Sequence, residues 1–420
     1  MTKSARIPVA GACLLFLACC SLPWVGLWNP NGVADTGLYS LYGGRMAHGL
    51  VPYRDFFIEF PPGALPALVI PALPRSNYVV WFKVFEFLCG AGTLVCLGII
   101  LAGLRVSRRN TWIALGLAAI APAVLGAITL NSFDYWPALL TTAAVAALVS
   151  RRTTIAFALL GAATAAKLFP AGLLPLALLF AVPQLGRWRR PLIAYACTLL
   201  LIVAPFAILG PGGLRFSLDV QLRRGLQLES LGASILATAH HFGLYDAHYA
   251  PNLAYAQLSG TTASALATVS TVVMVAAIAL VALLYHRTRG EASDLVNAAA
   301  ATIVAIVAFA KVISPQYLLW LVALVAAAAL RRRLAGPLLL GVLGLTQVWV
   351  PGRFRELQSL EWVTWALLAR NLLLVTLFAV LATGLRDRAA SDERASSRTL
   401  PPPARRAARR AIFRRPDRTA

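Results

Sequence analysis

The sequence predicts an all-α polytopic membrane protein of about twelve transmembrane helices, or about eleven if two short ones merge, with large extracytoplasmic loops. Three observations predict it. Of 420 residues, 59% are hydrophobic and 13% charged, with a mean hydropathy of +0.73, which is more apolar surface than one water-soluble core can hide. The apolar residues fall into runs approaching the roughly 20 residues that cross a bilayer. The arginines cluster between those runs rather than across one face. A soluble enzyme on a single anchor is excluded. The net charge of +22 therefore reports topology before it suggests a nucleic-acid partner, and none is expected.

The first run, roughly 7–27, follows Lys3 and Arg6. It reads as an uncleaved first span rather than a signal peptide, because more than ten further runs follow. The next stretch, about 28–76, is a polar and aromatic loop. Within it Leu38, Tyr39, Leu41, Tyr42 and Met46 keep a helical period, which predicts an interfacial helix from Asp35 to His48 with Asp35 at its amino-terminal end. The second run, 77–104, carries Lys83 and Glu86 three residues apart, and they are expected to neutralise each other on one helix face. Runs 111–130 and 136–150 flank Asn131 and Asp134. Runs 153–166 and 168–182 meet at Lys167 and Pro170; a single tilted helix over 153–182 is the alternative, and it would invert every later span. Run 191–210 leads into a second long loop, about 211–260. Runs 261–285, 295–310, 317–330, 335–350 and 363–385 complete the set, with a third loop at about 351–362. From about Arg386 to residue 420 the chain mixes Ser, Pro and Arg, including Pro401-Pro402-Pro403, Arg405-Arg406 and Arg414-Arg415. That composition predicts a disordered cytoplasmic tail, drawn to anionic lipid headgroups.

Charge separates the two sides. With both termini cytoplasmic and two helices over 153–182, Arg105, Arg108, Arg109, Arg151, Arg152, Arg187, Arg189, Arg190, Arg287, Arg289 and Arg331 to Arg333 all fall on the inner side, as the positive-inside rule requires. The merged helix would put Arg187 to Arg190 outside. The three long loops then face outward in the plasma membrane. The six cysteines, Cys13, Cys19, Cys20, Cys89, Cys96 and Cys197, lie within apolar stretches, so neither disulfides nor a metal centre is expected.

Phosphate loops, dinucleotide fingerprints, HExxH, GxSxG and paired Asp-x-Asp metal ligands are missing from the sequence, so an inner-face enzyme driven by ATP or a nucleotide sugar has no support. Acidic residues gather on the outer side instead: Asp35, Asp55, Glu59, Asp134, Asp219, Glu229, Asp246, Glu356 and Glu361. Asp35 is either a helix cap or a base at the outer mouth of the first span. Asp55 and Glu59 are rival bases; alternatively, ion pairs with Arg54 lock their loop. Lys167 and Lys311, two of four lysines, sit at outer helix ends, each near a proline, where they either snorkel or hold a phosphate. Gln316, Arg223 and Arg224 are further donors. Asp134, at the membrane boundary, needs a partner, and Lys167 is the candidate. His240 and His241 either touch a sugar or acceptor or are solvated loop residues.

Four strings in order, PYRDFFIEFPPG (52–63, in the loop that opens at Asp35), NSFDYWPALL (131–140), ATAAKLFPAGLLPL (163–176) and KVISPQYLLWL (311–321), with RRGLQLESL (223–231) as a weaker fifth, resemble the C-type glycosyltransferase superfamily. Within it the match is to glycosyltransferase family 87, the polyprenol-phosphate-mannose-dependent mannosyltransferase-like proteins of actinobacteria. The resemblance runs from the first span to about residue 321. It implies an extracytoplasmic active site, a polyprenyl-phosphate sugar donor, a glycan or glycolipid acceptor, inversion to an α-linkage, metal independence, and Asp35 as the matching general base. One carboxylate suffices for such a transfer, because a phosphate leaving group needs no protonation. A multi-span transporter or lipid-linked sugar flippase is the alternative class, although it would keep its ionisable residues near mid-membrane. A non-catalytic envelope-assembly subunit is the third reading.

Overall fold

The computed structural model describes residues 3–22, 35–185, 189–252 and 255–399. Residues 23–34, Arg187 and the Pro401 to Arg415 stretch of the tail lie outside the described residues. In chain order the helices are α1 (Lys3–Ser21), α2 (Asp35–Ala47), α3 (Leu65–Val69), α4 (Tyr78–Gly103), α5 (Arg108–Ala119), α6 (Ala121–Leu125), α7 (Tyr135–Val149), α8 (Thr153–Ala166), α9 (Leu174–Leu185), α10 (Arg189–Leu209) and α11 (Pro211–Leu222). Strand β1 (Leu226–Gln227) and α12 (Leu231–His241) follow, then β2 (Tyr249–Asn252) and β3 (Tyr255–Leu258). The chain continues through α13 (Thr261–His286), α14 (Ala292–Phe309), α15 (Leu319–Ala329), α16 (Ala335–Thr346), α17 (Phe354–Gln358) and α18 (Val363–Thr399).

Every apolar run of the sequence forms helix among the described residues. Six helical stretches are long and apolar enough to cross a bilayer alone, and seven shorter apolar ones accompany them, of which Pro62–Ala72 belongs to the first long loop. The protein is a multi-pass membrane protein. Helices α14 and α15 form its centre: nearly all of their residues are buried, as expected of helices that are apolar on every side. Around them, α8 packs on α7 and α10, α4 on α7, and α18 on α14 and α16. At the periphery, Leu200, Leu201 and Ile208 of α10 stand exposed.

The 153–182 segment is two helices. Helix α8 ends at Ala166, Lys167 takes extended backbone (φ −157°, ψ 146°), and a 3-10 turn over Phe169–Leu173 leads into α9. Pro170 explains the break, since it has no amide proton to continue the ladder and disfavours helical backbone before it.

Two expectations are corrected. Glu86 is fully buried, and its carboxylate accepts from the Tyr135 backbone N–H at 3.0 Å instead of serving mainly to neutralise Lys83. The chain also does not turn irregular at Arg386, because α18 runs on to Thr399. Its continuation is held by charge: Arg388 reaches Glu291 (3.0 Å) and Asp294 (3.4 Å), and Arg289 reaches Asp392 (3.3 Å).

The long loops are folded. In the first, α2 turns Tyr39, Tyr42 and Gly43 inward onto a cluster with Phe56, Phe60, Phe82 and Phe133. The second forms α11, α12 and an antiparallel sheet of order β1-β3-β2, in register Gln227 with Gln257 and Ala250 with Gln257. The third contributes α17, and a separate apolar cluster around Trp349, Leu357 and Leu228 fastens it to the second. Gly63 lies against the end of α8 so tightly that a Cβ would overlap the Ala165–Ala166 peptide, and its carbonyl accepts from Trp136 Nε1 at 2.9 Å. The first loop is thereby seated directly above Lys167.

Candidate active site

Where the three loops meet the helix ends they enclose a cavity of about 920 Å³. Its walls differ in chemistry. One is acidic, with Asp35 and Tyr39 from α2, Glu59 from the first loop and Asp134 from the start of α7. Cations interrupt it: Lys167 at the break after α8, Arg224 after α11 and Lys311 after α14. Deeper, Thr271, Met274 and Ile278 of α13 with Ile306 of α14 make an apolar arm. Spacings of three and four put the three α13 residues on one helix face.

Lys167 is the best-held charge of the site. Its ammonium donates to Asp134 Oδ1 and lies 4.7 Å from the ring centroids of Phe133 and Tyr317 and 5.0 Å from that of Trp320. Trp320 Nε1 donates to the same Asp134 oxygen at 2.8 Å. Phe169 and Tyr317 stack on the two sides of Trp320, with centroids 3.9 and 4.2 Å away. A desolvated cation over aromatic faces gains about 2 kcal/mol, which offsets part of the cost of placing an ammonium on a side chain only 17% exposed. Asp134 is buried, and its Oδ2 has no hydrogen-bond partner among the described residues.

Asp35 opens α2, and its Oδ2 accepts from the Tyr39 hydroxyl at 3.4 Å. Burial, with the negative charges of Asp134 and Glu59 nearby, raises its pKa above the ordinary carboxylate value, against the opposing pull of Tyr39 and Lys167. A carboxylate so placed is a stronger proton acceptor than one in water. Glu59 meets Arg224 Nη2 at 3.5 Å, and its carbonyl accepts from Gln221 Nε2 at 2.9 Å. Lys311 donates to the Leu222 carbonyl at the end of α11, 3.0 Å away, and its own carbonyl takes the Gln227 N–H at 2.9 Å. An ammonium has three protons, so one bond to Leu222 leaves capacity for an anion.

The family model of glycosyltransferase family 87 matches residues 57–315, more than half of the chain. The chain belongs to glycosyltransferase family 87. The family 87 match takes in Glu59, Asp134, Lys167, Arg224 and Lys311, while Asp35 lies ahead of it and Gln316 just beyond. Among solved structures the chain is similar to ArnT from Cupriavidus metallidurans bound to undecaprenyl phosphate, with 15% identity and a TM-score of 0.47 over 93% of this chain and 81% of that one. Among curated proteins, none matches.

In this family 87 chain the cavity gathers Asp35, Glu59, Asp134, Lys167, Arg224, Lys311 and Gln316 from the residues that the sequence singled out. The others do not line it. Arg54 and Asp55 close their own loop in a two-bond ion pair (2.8 and 2.9 Å); that pair and the Val51 N–H hold the Asp55 carboxyl down at about 2. Arg223 pairs with Asp219 at 2.7 Å on the surface. His241 Nε2 sits 2.7 Å from Thr364 Oγ1, its ring stacked on Trp365. His240 Nδ1 faces the Tyr245 carbonyl (3.1 Å) and the Ala247 N–H (3.3 Å). The His241 contacts fasten the second loop to α18, and those of His240 tie the loop to itself. Tyr39, Gln221, Gln227, Glu229, Tyr249 and Gln358 also line the cavity, and the sequence reading passed over them as site residues. A partial signal was present for Gln227 and Glu229, which stand in the weak fifth string.

Proposed function

We propose that this protein transfers a hexose, mannose first, from a polyprenyl-phosphate donor to an extracytoplasmic glycan or glycolipid, with inversion and without a metal. The observation that carries the reading is the joining, in one cavity, of a half-buried carboxylate of raised pKa, three cations and an apolar arm. The arm suits a lipid tail. Leu168 and Leu218 line the cavity yet are 56% and 41% exposed, and Val272 and Val275 stand exposed beside the lining face of α13. Sideways entry from the bilayer follows from that arrangement. Family membership sets the transporter and flippase alternative aside.

In the proposed step, Asp35 takes the proton of the acceptor hydroxyl as its oxygen attacks the anomeric carbon. The bond from that carbon to the phosphate oxygen breaks, and the electron pair leaves with the polyprenyl phosphate. Lys311 and Arg224, with Lys167 behind them, offset the charge on the departing phosphate. Asp35 then returns its proton to water. Gln316 adds a donor at the same wall. The catalytic unit takes residues 1–385, both termini are cytoplasmic, and the cavity faces outward.

The test is transfer of labelled mannose from polyprenyl-phosphate-mannose by purified protein in lipid, wild type beside Asp35→Asn. Removal of a general base lowers the rate by about 10²–10⁴-fold, with thermal unfolding unchanged. Undiminished transfer by the variant would reject Asp35. Transfer from other polyprenyl-linked sugars, but not from mannose, would revise the donor sugar only.

A further inference from the structure

Gln227 and Glu229 stand two residues apart in the second loop and line the same cavity, and neither carries a positive charge. The Gln227 side chain donates to Ser314 Oγ at 3.4 Å, and its buried Oε1 has no hydrogen-bond partner among the described residues. Glu229 is 2% exposed. Its Oε1 accepts from Trp349 Nε1 at 2.8 Å, and its carbonyl accepts from Arg370 Nη2 (3.1 Å) and Asn371 Nδ2 (3.3 Å). Tyr249, on an outer strand of the same sheet, also lines the cavity; its hydroxyl accepts from Gln358 Nε2 at 2.8 Å, which leaves its own proton to give.

A buried acceptor without a donor is costly, and such atoms persist where a ligand supplies the missing proton. Here the unpaired atom, Gln227 Oε1, is an acceptor, the Tyr249 hydroxyl has a proton to give, and the Glu229 carboxyl lines the same space, so an anion is disfavoured. Tyr249 and Phe354 add aromatic surface to the same wall. Neutral sugar rings, with several hydroxyls around an apolar face, match this pattern. Glu229 is also fixed in place. Arg370, fully buried and 5.2 Å from the Trp349 ring, supports it from behind, and burial raises its carboxyl to about 7, which lets it accept or donate near neutrality.

We propose that Gln227, Glu229 and Tyr249 form a subsite for the hydroxyls of a sugar ring, adjoining the cations proposed to take the phosphate. The proposal rests on the glycosyl-transfer reading and adds to it the residues that recognise sugar. Two sources share this chemistry, the acceptor glycan and the hexose of the donor.

The experiment compares wild type with Glu229→Gln, which keeps an acceptor for Trp349, and with Tyr249→Phe, each as full-length protein in lipid nanodiscs. A rise of about tenfold in the acceptor KM, with kcat within threefold and the donor KM unchanged, assigns the subsite to the acceptor. The same rise in the donor KM alone assigns it to the donor hexose. Unchanged KM values for both substrates in both variants overturn the proposal. Saturation-transfer NMR with methyl hexosides reads the subsite without turnover. Sugar signals that weaken in both variants uphold it even if no polyprenyl donor supports transfer, and signals that are absent from wild type or equal in all three proteins overturn it.

Discussion

At the residue scale, the role proposed for Asp35 predicts a pH signature. A general base works only when ionised, and both burial and the charges of Asp134 and Glu59 favour the protonated form. The acid limb of kcat/KM should therefore lie above the ordinary carboxylate range, with the rate rising with pH through the raised pKa and level beyond it. Glu59→Gln removes one of the two negative neighbours, so its limb should move to lower pH in a pH-rate profile; a limb that stays in place would detach Asp35 from the reaction. Lys167 carries a second prediction. Lys167→Met leaves Asp134, whose side chain is 1% exposed, charged and without its cation, which should lower stability by about 3–5 kcal/mol. Adding Asp134→Asn should recover most of that loss in thermal unfolding while the donor KM stays raised. Asp35, Lys167 and Asp134 were legible in the sequence because a charge in so apolar a chain must be paired or wetted. Glu229 and Gln227 were not, since their place depends on the β1–β3 register and on Trp349 more than a hundred residues away.

At the element scale, the apolar runs were legible because hydropathy alone marks them, and the break at Lys167 followed from Pro170. The helical continuation of α18 was hidden, because residues 386–399 lack an apolar stripe and are held by Arg289, Glu291 and Asp294 from another part of the chain. The folded loops were hidden for a similar reason: period marked α2, but the sheet is made of strands only two to four residues long. One small residue sets the relation between loop and bundle. Because a Cβ at Gly63 would overlap the Ala165–Ala166 peptide, Gly63→Ala should push the first loop off the end of α8, with an overpacking penalty of about 1–3 kcal/mol. Glu59 and Lys167 flank that contact, so transfer should fall more steeply than the melting temperature. Normal kinetics in Gly63→Ala would show that the loop adjusts freely.

At the scale of the whole molecule, the polar mouth and the apolar arm are one continuous space, built by three loops above and by α13 and α14 below. Its residues come from nearly the full length of the chain, from Asp35 to Gln358, which is why local sequence patterns exposed its charged members and not its shape. The entry route proposed for the donor decides what counts as concentration. A donor that reaches the cavity through the lipid phase is encountered in two dimensions, so the rate should follow its mole fraction in the membrane rather than its amount per litre. Inert phospholipid added at constant protein and donor should slow transfer in proportion to the dilution, whereas extra buffer should leave it unchanged. In a cell, neighbouring lipids would then throttle the enzyme simply by diluting its substrate within the plane.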